Sequence, residues 1–504
     1  MDLKLNIKEI SNLLVHIEST FDVNKIKFKE VHLWPIFRAY LYGTLLSNFN
    51  TKDEVNETSY PIPIWKSFVN RITHLKATKQ AINAIPLPNS CDFLFLSRNC
   101  DHSDKKNGLL YSRHTDPYFE LFKSKFKCLK LQISEPSNNY IDSVFIPYWF
   151  TQVQTRKVKL NKISSSIVKD ITNKCLGSHK CNQTVSYLTN RITNILNTSK
   201  ILRRILKSIK PKAVFLVCYH DEQSASMILA CKSLKIPTFE IQHGQQGIFN
   251  ALYCRWTNIP EKSGYHMMPD FIWMWGDESK KNYLKDRKKI NSHPIPIVGG
   301  NKWLSDNLVS NKGPNMKLRD LVKDKIVVTI ATQPNSNLKK LIPEFIYDVI
   351  NSSPINYIWL IKLHPNQLEK VEDIFKYFSQ RIDFVNVLSY EVLEFSLYDI
   401  LTVTKFLITK WSSVSYESKV FNNIPVIVSE TGKELFSSKI NDGSFLYAND
   451  KFSLTKILNF VTEVPIDKNP YIQIDNQTCC RAMNTIENLV FNTDTSYKPF
   501  VYKN

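Results

Sequence analysis

Short apolar runs alternate along most of the chain with stretches whose apolar residues recur at helical spacing. The clearest instance spans residues 215–247, FLVCYHDEQSASMILACKSLKIPTFEIQHGQQG. Residues 215–218 are apolar throughout, as a strand buried on both faces requires. The polar set Tyr219, His220, Asp221 and Glu222 interrupts the run. Over 224–234, Met227, Ile228, Ala230 and Leu234 recur at helical spacing, and Pro237 ends the helix. Phe239 and Ile241 then begin a second strand that runs into Gln242, His243 and Gly244. The pattern predicts a βαβ unit with a polar loop after each strand. Ligands of open parallel sheets bind beyond the carboxyl ends of the strands, so both loops are expected to face one crevice.

The same reading extends in both directions. Residues 1–85 read as a mainly helical extension. Ile10, Leu13, Leu14 and Ile17 share a helical face, and Val31, Leu33, Trp34, Ile36, Phe37, Tyr40 and Leu41 form an apolar patch with Arg38 embedded in it. Residues 86–310 read as a doubly wound, Rossmann-like domain. Its strands are 92–96 (ending in Ser97, Arg98 and Asn99), 129–133, 144–146, 215–218, 239–241, 271–274 and 295–298. A polar, Lys-rich stretch covers 101–114, Thr115 and Asp116 cap a helix from Pro117, and two or three helices fill 163–209. The aromatic residues of 253–276 read mostly as core packing. Gly299 and Gly300 suit either a phosphate loop or a tight strand-to-helix turn.

Residues 304–323 read as a polar connector, and 324–480 as a second Rossmann-like domain. Its strands are 326–330, 357–363, 384–388, 406–409, 425–428 and 445–447, with helices at 341–350, at 399–404 and from Ser412 and Ser413 onward. A tail, 481–504, contains a helix (486–491) expected to return to the first domain.

Composition changes this picture in two ways. The chain of 504 residues carries 66 Lys+Arg against 46 Asp+Glu, a net charge of +20. Nucleic acid, an anionic membrane surface, anionic small substrates or simply a solvated lysine-rich surface would each account for it. The charge is spread, with local runs at 280–289 and 156–162, and no zinc-finger spacing, RNP-like motif or arginine-rich arm occurs. Nucleic acid is therefore not expected as a partner, whereas peripheral contact with an anionic leaflet is. No apolar stretch approaches the ~18–20 residues that span a bilayer. The amino terminus lacks an apolar signal core, so a cytoplasmic location is expected, extending to the inner face of the cell membrane. The ten cysteines form no CxxC pair and read as small buried hydrophobes rather than a disulfide framework or metal site.

Candidate chemistry gathers at strand ends. In the second domain Lys362 and His364 follow one strand, and Ser412 and Ser413 follow another where a helix opens. Helix N–H groups, hydroxyls and a cation suit a nucleotide phosphate, with Glu417 placed for a ribose or base. Ser412 equally suits a plain N-cap. In the first domain Asp221, Glu222 and His243 are candidates for acid–base work, with Asp221 alternatively a nucleophile. Asp221 and Glu222 also suit capping of their own helix. Gln242, Gly244 and Arg98 are expected beside the acceptor.

The Gln-His-Gly at 242–244, Lys-Leu-His-Pro at 362–365 and Ser-Ser-x-x-Tyr-Glu at 412–417 resemble GT-B glycosyltransferases of bacterial surface polysaccharide synthesis. The His-Pro and Ser-Ser pairs resemble those of polysialyltransferases, and the His-Gly that of CDP-glycerol glycerophosphotransferases; Kdo transferases share the layout. The resemblance covers about residues 215–428. It implies an α/β GT-B fold of two Rossmann-type domains facing a central cleft. It further implies a nucleotide-sugar donor, CMP-linked, as co-substrate, and a glycan or lipid-linked acceptor. His364, Ser412 and Ser413 would contact donor phosphate, His243 or Asp221 would serve the acceptor, and neither a bound cofactor nor a metal is expected. Alternatives are a CDP-polyol phosphotransferase, a nucleotide-sugar epimerase, or a non-catalytic basic protein binding nucleic acid or membrane.

Overall fold

The structure is a computed structural model that describes residues 5–50, 85–102, 104–147, 157–260, 264–285, 287, 294–309, 315–333, 335, 337–383, 386–465 and 470–492. The chain divides into two compact units, 1–275 with 280–303 and 476–504, and 276–279 with 304–475.

The first unit is built on a seven-stranded sheet: β1 (Phe93–Ser97), β2 (Cys128–Ile133), β3 (Val144–Ile146), β4 (Ala213–Leu216), β5 (Thr238–Ile241), β6 (Phe271–Met274) and β7 (Ile295–Val298). The spatial order is β7-β6-β5-β4-β1-β2-β3, and every pair is parallel. The chain moves outward from β1 to β3, then returns to the other side of β1 and continues β4 to β7. The order therefore reverses between β1 and β4, which is where such sheets open a crevice. Strands β1, β4, β5 and β6 are buried along their whole length, matching their near-continuous apolar runs. Phe93, Phe95, Phe215, Phe239, Phe271 and Trp273 pack into one core.

The unit also contains helices. They are α1 (Ile7–Thr20), α2 (Trp34–Asn50), α3 (Asp116–Lys123), α4 (Lys162–Leu176), α5 (Cys181–Ile209), α6 (Glu222–Leu234) and, from the end of the chain, α8 (Asn476–Phe491). An Asn6–Glu9 capping box starts α1. Helix α8 lays Cys479, Ala482, Met483 and Ile486 into the same core as the sheet phenylalanines.

The second unit holds a six-stranded sheet: β8 (Ile326–Ala331), β9 (Tyr357–Lys362), β10 (Val387–Leu388), β11 (Phe406–Thr409), β12 (Ile424–Ile427) and β13 (Leu446–Tyr447). Its order, β10-β9-β8-β11-β12-β13, is again all parallel and reverses between β8 and β11. Helix α7 (Val414–Lys419) follows β11.

Several expectations need correction. Within the polar, Lys-rich stretch 101–114, Asp104–Lys106 pairs with Leu109–Tyr111 in an antiparallel hairpin that was not expected. Helices Lys302–Val309 and Met316–Leu321 lie where a connector was expected; Leu304 and Leu318 are buried, which a solvated connector would not be. Strand β10 starts at Val387, and residues 384–385 of the expected strand lie outside the described residues. Of the amino-terminal extension, 51–84 lies outside them too. All ten cysteines are free thiols, and Cys100 and Cys480 are exposed rather than buried. Gly299 and Gly300 form the tight turn. A Cβ on Gly299 would stand 2.1 Å from the Trp273 ring, and Gly300 has φ +77°. Among the described residues no helix is long and apolar enough to cross a membrane.

The embedded Arg38 explains the apolar patch around it. Its side chain is fully buried and ion-pairs with the buried Glu18 of α1. It donates to the carbonyls of Ala251 (2.9 Å), Cys254 (3.3 Å) and Arg255 (3.1 Å), and lies 4.1 Å over the Trp256 ring. Glu18 also accepts from Trp34 Nε1 (2.8 Å), Thr257 N (2.7 Å) and Thr257 Oγ1 (2.6 Å). The amino-terminal helices thus grip the loop 251–257. Removing one partner of a buried pair strands the other charge, which typically costs about 3–5 kcal/mol. Arg38→Met should therefore lower the unfolding free energy by about that amount. Adding Glu18→Gln to it should recover part of the loss, as read from urea midpoints of the three proteins.

Candidate functional site

Polar residues collect at the carboxyl ends of β1, β4 and β5, the three strands around the reversal in the first unit. Pairing of Phe95 with Phe215 and of Leu216 with Glu240 sets the register. It carries Arg98, Cys218 and Gln242 to one level just past the strand ends.

Arg98 is anchored on one side only. Its Nε and Nη2 donate to the Asp101 carboxylate at 3.1 and 2.5 Å, and its backbone N–H adds 3.0 Å. The guanidinium remains charged, and it depresses the pKa of three nearby histidines. His243 is held down to about 3, first by burial, then by Arg98 and His220. His220 is held down to about 4 by burial, then by Arg98. His114 lies well below its usual value through burial, Arg113, His243 and Arg98. The rings of His114 and His243 stand 6.2 Å apart, edge to face. Three imidazoles are therefore neutral at pH 7 around one permanent cation.

The turn that delivers His220 is strained. Cys218 follows β4 with φ +60°, a region a side chain rarely enters. Its Sγ lies 3.2 Å from His220 Nε2, and burial pushes the thiol up to about 12. Behind the histidines lies a buried carboxylate. Glu240 on β5 accepts from Tyr253 Oη (2.8 Å) and from Tyr219 N (3.2 Å), while Oε2 has no partner. Burial raises its pKa to about 7. A cavity of about 10 Å³, room for one water, is lined by Glu240, Tyr219, Tyr253, Tyr283 and Arg287. The Tyr253 ring stands 6.1 Å from both His220 and His243, so Glu240 braces the pair from beneath.

The other candidates of this unit have structural occupations. Asp221 is the N-cap of α6, accepting from Gln223 N at 2.9 Å. Glu222 feels Arg191 and Asn194 of α5, and burial raises its pKa; it is directed to that helix, not to the histidines. Gln242 is 1% exposed, with Nε2 on the Gly244 carbonyl (2.9 Å) and Oε1 taking Trp275 N (2.7 Å). Gln242 and Gly244 thus shape the loop that presents His243. His114, His220, Cys218, Glu240 and Tyr253 were not foreseen as a set. Glu240, a carboxylate between Phe239 and Ile241 in an otherwise apolar strand, was the available signal.

In the second unit Lys362 and Thr409 flank Ala331 from either side, so the ends of β9, β8 and β11 share an edge. Lys362 Nζ donates to the Phe395 carbonyl at 2.7 Å. The backbone N–H of His364 reaches Gln367 Oε1 (2.9 Å) and Thr332 Oγ1 (3.3 Å), which tie the Leu363–His364 turn to β8. Across the reversal, Trp411 N donates to Gln333 Oε1 at 3.1 Å. Ser412 Oγ accepts from Val414 N (3.3 Å), a local turn. Ser413 is the N-cap of α7 but makes no side-chain capping bond. Glu417 is 3% exposed and lies inside the packed face of α7. Helix α7 is only six residues long, and its first N–H groups are engaged locally: Ser415 N donates to the Ser412 carbonyl (3.2 Å) and Tyr416 N to the Ser413 carbonyl (2.9 Å).

Lys410 was missed as a site residue although it stands beside Ser412 in the sequence. Burial and Lys340 lower it to about 8. It donates to the Lys340 carbonyl (2.9 Å) and lies 4.6 Å from the Trp411 ring centroid. The loop after β12 closes on it: Ser429 Oγ donates to the Lys410 carbonyl (2.8 Å), and a Cβ on Gly432 would fall 1.8 Å from that oxygen. Among the described residues no group of three or more His, Cys, Asp or Glu could hold a metal ion.

No protein-family model matches the chain, and no curated protein sequence does. Solved structures do. A putative UDP-N-acetylglucosamine 2-epimerase from Listeria monocytogenes aligns at TM-score 0.50 and 12% identity, covering 82% of this chain and 100% of that one. The UDP-GlcNAc 2-epimerase from Neisseria meningitidis, bound to UDP-GlcNAc, aligns at 0.48 and 14% (79% and 100%). The wall teichoic acid polymerase TagF aligns at 0.40 and 9% (83% and 96%). The fold is accordingly GT-B-like, with two Rossmann-type units in one chain.

The depressed histidines fix how stability depends on pH. His32, His220, His243 and His266 are all lowered, to about 4, 4, 3 and 3, with burial the leading cause in each. The unfolded chain takes up these protons near pH 6.5 and the folded chain does not. Stability should fall as pH drops from about 6.5 towards 4, by up to about 1.4 kcal/mol per pH unit for each histidine. Glu240 works in the opposite sense between its unfolded value and about 7, because its raised pKa favours the folded state at the acid end. Urea titrations from pH 4 to 7 should show the net loss, and His243→Gln should remove about one proton from the slope.

Proposed function

We propose that the protein is a glycosyltransferase that moves a sugar from a nucleotide-activated donor, CMP-linked, to a glycan or lipid-linked acceptor of bacterial surface polysaccharide. One observation carries the reading. In each unit the polar residues singled out in the sequence stand at the carboxyl edge of the sheet, around the reversal of strand order. Nucleotides and their reaction partners bind at that position in open α/β sheets.

The donor belongs to the second unit in this reading. The Ser413 hydroxyl and the ammonium of Lys410 receive its phosphate. Lys410 is easily moved between charge states by burial, so an arriving phosphate stabilises its protonated form. His364, on a turn tied to β8 by Thr332 and Gln367, completes the phosphate contacts. The acceptor belongs to the first unit. His243 takes the proton of the attacking hydroxyl, since its neutral imidazole is the form able to do so. Its basicity is weak first because it is buried and then because Arg98, itself paired with Asp101, lies nearby. Negative charge arriving beside Arg98 cancels that effect and raises it. Asp221 keeps its role at the start of α6 and steadies the loop that carries His220.

Thermal shifts with CMP, CDP, UDP, GDP, TDP and ADP test the donor. A nucleotide at ~100 times its Kd adds about 2.7 kcal/mol of stability. CMP or CDP should stabilise selectively, and Ser413→Ala, Lys410→Gln and His364→Ala should weaken the shift. Selectivity for UDP, GDP or TDP would overturn the donor, and indifference to all six would overturn the enzyme. His243→Ala should leave the nucleotide shift intact and lower turnover by about 10²–10⁴, measured as release of CMP in the presence of acceptor.

A further inference from the structure

The opposite edge of the first sheet, at the amino-terminal ends of its strands, carries a concentration of lysine. Lys123, Lys127, Lys207, Lys210, Lys212 and Lys235 are all exposed there. Backbone pairing makes their loops neighbours. Asp92 N donates to the Lys127 carbonyl (2.7 Å), Lys212 N to the Asp92 carbonyl (2.8 Å), Cys91 N to the Ile209 carbonyl (3.1 Å) and Val214 N to the Pro237 carbonyl (3.0 Å). The nearby acids are occupied. The Asp92 carboxylate accepts Lys127 N (2.9 Å), Glu487 pairs with Lys125 (2.5 Å), and Asp270 is buried against Lys232. The sequence feeding this edge is one-sided: residues 171–220 contain nine Lys and Arg and no Asp or Glu.

Helix dipoles account for only part of this. A cation at a helix C-terminus is favourable, and Lys210 and Lys235 cap α5 and α6. Both sit there with positive φ, +47° and +60°, where glycine or asparagine is least strained. Lys123 lies at the end of α3, but Lys127 and Lys212 lie outside any helix. Among the same loops Phe491 is 37% exposed and stacks on Phe126, with centroids 5.6 Å apart.

We propose that this edge is a docking surface for anionic lipid headgroups. Lysines act as hydrated point charges that suit a fluid array of phosphates, whereas bidentate reading of fixed partners favours arginine. A half-exposed aromatic beside them suits the headgroup boundary. The histidine cluster lies at the other end of the same strands, so a docked unit turns its reactive edge away from the lipid.

The test is co-sedimentation of the full chain, near physiological ionic strength, with phosphatidylcholine vesicles with and without phosphatidylglycerol. Binding should require phosphatidylglycerol and fall by about a hundredfold in Lys127→Glu/Lys207→Glu/Lys212→Glu. The milder Lys→Gln triple should lose less but remain clearly weaker than the parent. A charge-matched control on the second unit, Lys339→Glu/Lys376→Glu/Lys456→Glu, should bind within about twofold of the parent, because a local surface and not total charge sets the affinity. Equal losses in the two charge-reversed triples would overturn the proposal, as would equal binding to neutral vesicles. So would tighter binding to mixed-sequence single-stranded RNA that the first triple abolishes, since that would make the edge a nucleic-acid surface. An unchanged CMP or CDP thermal shift in the first triple separates this outcome from failure of the donor assignment.

Discussion

A charge that cannot reach water organises the first unit. Arg38 lies fully buried between α2 and the loop 251–257, and its guanidinium has to be satisfied there. Three carbonyls, Glu18 and the Trp256 face do so. Because those partners are fixed in space by one planar group, the loop has little freedom. The loop in turn supplies Tyr253, which holds Glu240 and stands against both His220 and His243. The amino-terminal helices are therefore part of the support of the candidate site, although neither contributes a residue to it. A buried ion pair is weak evidence for net stability but a good device for choosing one arrangement.

Topology and electrostatics then divide the chemistry. Both sheets reverse their strand order once, so each has one edge position where loops part and backbone groups are open. At that position the first unit keeps imidazoles neutral by burial around a permanent cation, while the second keeps a lysine near its point of titration. One arrangement leaves imidazoles unprotonated beside a cation, the other leaves an ammonium able to meet an anion. The same fold thus holds two chemically unlike sites without any difference in architecture.

Legibility from sequence followed how local each signal was. Short apolar strands were readable as apolar runs, whether buried (β6, β11) or at the sheet edge (β3, β7), and all four fall on the expected residues; α6 is marked by its own cap and by Pro237. The hairpin at 104–111 was hidden because its first strand is polar and each strand is only three residues long. The helices at 302–321 were hidden because few of their positions face a core. For the site, His243, Arg98 and the region of Ser412 were visible as polar residues after strands. That His114 lies against His243, 129 positions away, is a tertiary fact that no local pattern carries. Asp221 and Glu222 show the converse: acidic residues at a helix start looked like chemistry, and one is a cap while the other faces α5.

Helix α8 has a consequence for how the protein is made. Its Cys479, Ala482, Met483 and Ile486 belong to the core built on Phe93, Phe215 and Phe271, all of which precede the second unit in the chain. On the ribosome, all of the second unit emerges before those four side chains exist. Until then, the part of the first unit's core that α8 covers lacks those side chains. For as long as that takes, the strip of phenylalanine is the surface a chaperone would find.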